Sequence, residues 1–85
     1  MNPHTHIEGR QVVLVGKHAD AKIFSTKHNL DERVPIATNA AALLGYHASG
    51  CHIVVLPSFW DLRSHTFVLS AVRRLERLGA FVEWV

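Results

Sequence analysis

Residues 52–85 read HIVVLPSFWDLRSHTFVLSAVRRLERLGAFVEWV, and the order of patterns inside this stretch decides the fold. His52 to Leu56 is a continuous apolar run closed by Pro57, the pattern of a strand buried on both faces. From Ser64 to about Leu78 the apolar period changes. Val68, Ala71, Val72, Leu75 and Leu78 fall on one helical stripe, Thr66, Ser70, Arg73, Arg74 and Arg77 fall opposite, and Gly79 marks the stop. Ser64 is placed to cap this helix, because its hydroxyl can accept from a free amide of the first turn. Phe81 to Val85 then reads as a second strand. A strand, a helix and a strand in that order favour a right-handed parallel crossover.

Working upstream, Gln11-Val-Val-Leu-Val15 repeats the buried-strand pattern and is closed by Gly16. Lys17 to Leu30 supports two readings. Ala19, Ile23 and Leu30 can share a helical stripe, while Lys22 to Thr26 has strand propensity after a His-Ala-Asp turn. Arg33 to Ala37 predicts a short strand that Pro35 confines to an edge or a strand start. Thr38 or Asn39 supplies a cap for a short helix over 40–48, ended at Gly50. The helix would carry Ala40, Leu43, Leu44 and His47 on one side and Ala41, Gly45 and Ala48 on the other. The expected fold is α/β: a small, mostly parallel sheet of four to five strands with two to three helices, a minimal Rossmann-like domain. A hairpin at 18–30 would make the sheet mixed. Residues 1–85 form a single domain, with 1–9 expected as a flexible N-terminal segment.

Composition narrows the class. Eighty-five residues leave room for one core, and 48% hydrophobic against 19% charged residues is the balance of a folding chain. With one cysteine, Cys51, no internal disulfide can reinforce so small a core, which favours self-association and a reducing, cytoplasmic setting. No apolar run approaches a membrane span, and the first residues lack a secretion-signal layout. A net charge of +2 is a small surplus and does not by itself indicate nucleic acid.

Chemistry in a parallel α/β sheet gathers where strands end and helices begin. Three loops qualify: Gly16, Lys17 and His18; Thr38 and Asn39; and Ser58 to His65. The third holds Phe59, Trp60, Asp61, Arg63 and His65, rich content for a connection. No glycine-rich phosphate loop is present, and no cofactor is expected. His4, His6, His47, Cys51 and His52 offer metal-ligating atoms, but their spacing specifies no four-ligand set. Adjacent strand residues point to opposite faces, so Cys51 and His52 do not form a nucleophile–base pair. In the spacing of helix, strand, loop, helix and strand, the segment from Thr38 to the terminal strand resembles a family of RNA-binding α/β proteins. That family's glutamate and lysine are replaced here by Ala40 and Leu43, so its RNA contacts are not carried over.

The function expected from these residues is a non-catalytic protein-binding or regulatory domain, adaptor- or inhibitor-like and self-associating. Its contact residues would be Phe59, Trp60, Asp61, Arg63 and Trp84, since aromatic and arginine side chains dominate interfaces. An open edge on the terminal strand could add a partner strand from a second copy or another protein. Two alternatives stand beside it. One is RNA or DNA binding through Arg73, Arg74 and Arg77, which predicts a steep salt dependence. The other is a small anion or nucleotide at the strand ends, held by Lys17, His18, Asn39 and His65.

Overall fold

The computed structural model describes residues 11–31 and 33–85. The N-terminal segment expected to be flexible therefore lies outside the described residues. The chain runs β1 (Gln11–Val15), α1 (His18–Lys27), β2 (Ile36–Ala37), a 3₁₀ turn (Ala40–Leu43), β3 (Cys51–Val55), a second 3₁₀ turn (Pro57–Asp61), α2 (His65–Arg77) and β4 (Phe81–Trp84). The four strands form one sheet in the order β2-β1-β3-β4, and every neighbouring pair is parallel. The ambiguous stretch after Gly16 is thus helical, and the mixed-sheet alternative falls away. Among the described residues there is no fifth strand and no third α-helix.

Two expected elements are shorter than their sequence patterns. The strand expected over 33–37 pairs only at Ile36 and Ala37. Val34 instead closes a turn on the Asp31 carbonyl at 3.1 Å, and Pro35 has no amide hydrogen for a ladder. The helix expected over 40–48 is a single 3₁₀ turn, with Asn39 as its cap: the Oδ1 accepts from the Ala42 amide at 3.0 Å. Alanines favour a helix but bring little apolar surface, and isolated helical turns depend on tertiary packing. Only Leu43 of this turn reaches the core.

The long helix ends as its sequence indicates. Gly79, at φ +114°, donates its amide to Glu76 O, and Ala80 donates to Leu75 O at 2.9 Å, the paired reverse bonds that close a helix C-terminus. Its start differs from expectation. Ser64 stands at the cap position, but its side chain makes no capping hydrogen bond.

The core lies on both faces of the sheet. On one face Val13, Val15, Ile53 and Val55 pack beneath Val68, Val72 and Leu75 of α2, with Phe59 and Leu43 at the flanks. Leu78, placed on the apolar stripe by periodicity, is exposed because it sits beyond the last full turn. On the other face α1 covers Leu14, Val54 and Leu56 with Ala21 and Phe24. This division follows from right-handed crossovers: the chain moves from β1 to β2 on one side and returns to β3 and β4 on the other.

Candidate functional site

Two places in this fold collect the side chains that sequence reasoning singled out. The first is the crevice at the ends of β1 and β3, where the strand order reverses and the two following segments diverge. Gly16 donates to Ala37 O at 3.2 Å, and the Lys17 amide donates to Ser58 Oγ at 3.0 Å. Ser58 is buried there. A Cβ at position 16 would lie 2.8 Å from Ser58 Oγ and 3.1 Å from Leu56 Cβ, so the close approach of these two loops requires glycine. The Ser58 hydroxyl thereby joins the two loops across the crevice. His18 begins α1 beside it, whereas Asn39 is engaged in capping its own turn and the His65 Nδ1 lies 3.1 Å from Leu62 O. Lys17 and His18 are thus adjacent at the start of α1, while Asn39 and His65 lie on the segments that follow β2 and β3.

The second place is the surface where the second 3₁₀ turn meets α2 and β4. Pro57 starts the turn, its fixed φ being suited to a first helical position, and the turn buries Phe59 while leaving Trp60 outside. Phe59 is 0% exposed and touches Trp60 edge-on at 4.9 Å between centroids and Trp84 edge-on at 5.9 Å. Trp60 is 60% exposed and Trp84 42%. The His65 ring lies 6.1 Å from Trp60, and the Arg73 guanidinium stands 5.6 Å from the Trp84 ring while bonding Glu76 at 3.1 Å. Of the expected contact residues, then, Trp60 and Trp84 both meet the buried Phe59, Asp61 is exposed at the end of the turn, and Arg63 is exposed just after it.

The three arginines of α2 are all exposed but have different neighbours. Arg73 faces Trp84, whereas Arg74 lines a groove on the opposite flank with Leu43, Leu44, Tyr46 and Leu78, and Arg77 is exposed. Sequence reasoning did not foresee the Arg73–Trp84 contact, because it joins residues on different elements. The available signal was strand parity, which places Val82 and Trp84 on the α2 side of β4.

The outer edge of β4 adjoins the same surface. Val85 donates to Val55 O at 3.0 Å. Backbone groups alternate in direction along a strand, so Glu83 and Val85 turn theirs to β3 and Val82 and Trp84 turn theirs to the edge. Cys51 lies at the far end of the sheet, buried, and burial raises its thiol above the ordinary range, which disfavours the nucleophilic thiolate. Among the described residues no three metal-ligating side chains cluster, and no helix is long and apolar enough to cross a membrane. Compared with known proteins, the chain matches no family model, no curated protein and no solved structure.

Proposed function

We propose that this chain is a non-catalytic, minimal Rossmann-like interaction domain that binds a protein partner through Trp60, Trp84 and Arg73, with Asp61 and Arg63 on the rim. One observation carries the reading: two tryptophans stand 60% and 42% exposed over a single fully buried phenylalanine. Exposed indoles cost solubility unless they are used, and a rigid aromatic pair on a buried support gives up little entropy on binding. The outer edge of β4 extends the surface with two residues' worth of backbone donors and acceptors, suited to strand addition. Asp61 and Arg63 supply both charge signs beside an apolar centre, the layout of an interface rim.

The experiment is affinity purification from the native source with the wild type, Trp60→Ala and Trp84→Ala, analysing co-purifying protein, nucleic acid and small molecules. The expected result is a defined protein retained by the wild type and lost from both variants. Recovery of RNA or DNA released by moderate salt, and unaffected by either variant, would replace this reading with the arginine-based one.

A further inference from the structure

A trough opens on the α1 side of the sheet. There α1 covers β1 and β2 and reaches Val54 of β3, and no residue of β4 joins the buried cluster beneath it. It encloses about 480 Å³, within the size range of small-molecule sites. Val12 and Val54 contribute an apolar floor, Phe24 and His28 stand on the α1 side, and His52 and Glu83 on the β4 side. The Phe24 and His28 rings are 4.2 Å apart between centroids and tilted by 32°, so they stack on each other beside the trough. Opposite, His52 Nε2 lies 3.1 Å from Glu83 Oε1. A carboxylate only accepts hydrogen bonds, so Nε2 carries the proton, and the Glu83 oxygens keep lone pairs for further donors.

The electrical character of the trough is specific. Glu83 is the one carboxylate side chain lining it, and neither lysine nor arginine is present there to neutralise it. An apolar floor and an aromatic stack beside an acceptor-only group favour a flat ring that carries positively charged N–H donors. The dimensions favour a small molecule over a protein. The four-residue β4 gives a length of roughly 13 Å, whereas a stable protein partner engages about 20–30 residues a side. We infer that this trough binds a small planar aromatic cation of the amidinium or protonated-amine class, its ring over Val12 and Val54 beside the Phe24–His28 stack and its N–H groups on Glu83. This site is separate from the Trp60–Trp84 surface and does not depend on it.

The test is an NMR titration of the isotope-labelled protein with three probes of similar size: benzamidine, benzyl alcohol and benzoate. Benzamidine is expected to shift the amides of Val12, Val54 and Glu83, and benzoate to leave them unmoved. Glu83→Gln keeps a polar partner for His52 and should weaken benzamidine by about tenfold, the scale of one hydrogen bond to a charged group. Phe24→Leu, which keeps apolar bulk but removes the ring, should weaken it as well. Absence of shifts, equal response to all three probes, or benzamidine binding unchanged in Glu83→Gln would overturn the inference. So would concentration-dependent shifts of the same amides without any probe, since a second copy would then be covering the trough.

Discussion

The two faces of the sheet are built from alternate residues of the same strands, yet they are finished differently. On the α2 side, Val13, Val15, Ile53 and Val55 meet a helix with three buried apolar residues, and Phe59 seals the end. On the α1 side, Leu14 and Val54 meet a helix that buries only Ala21, with Phe24 half-buried at its flank. A parallel sheet ordinarily has both faces covered. The comparison teaches that burial is divided unevenly between the two faces of one sheet. The closed face holds most of the core, with Trp60 and Trp84 exposed at its border, and the half-open face holds the smaller cluster.

The sharpest way to break that comparison is to remove equivalent rings from the two faces. Phe59→Ala should destabilise by about 3–5 kcal/mol, the range for a phenylalanine lost from a packed core, measured by urea unfolding. Phe24→Ala removes only partly buried surface and should cost about 1–2 kcal/mol in the same measurement. Equal losses would show that the α1 side is as closed as the other. Asn39→Ala tests how much the short crossover turn contributes, with an expected loss of about 1 kcal/mol from the missing cap. Trp60→Ala is the smallest change, within about 0.5 kcal/mol, because an exposed side chain has little to lose on unfolding. Its binding phenotype should nevertheless be the largest, and a partner complex of undiminished strength in this variant would remove Trp60 from the interface.

The order of the helices and strands was legible where periodicity was strong. Val68, Val72 and Leu75 recur at helical spacing, Gly79 ends the helix with a positive φ, and the runs at 12–15 and 53–56 are too short and too apolar for anything but inner strands. The stretch at 17–30 was not legible, because its apolar residues are few and its helix buries a single alanine. The alanines at 40–42 misled in the other direction: high helix propensity overstated a segment with little apolar surface to pack. Of the candidate site, Trp60 and Trp84 were visible as exposed-aromatic candidates in a loop and an edge strand. Their meeting over Phe59 was not, since local spacing says nothing about residues brought together from separate elements.

By itself, the sequence determined an α/β domain with inner apolar strands and one strongly amphipathic helix, because side-chain period and burial are local properties of a chain. It also determined that glycine follows β1, although the need for it became clear only from the approach of Ser58 and Leu56. Tertiary structure alone decided the strand order, the side on which each crossover lies, and hence which sheet face stays half open. It alone set Arg73 against Trp84 and His52 against Glu83. These pairings depend on register between strands and on the hand of the crossovers, both fixed by packing the whole chain at once.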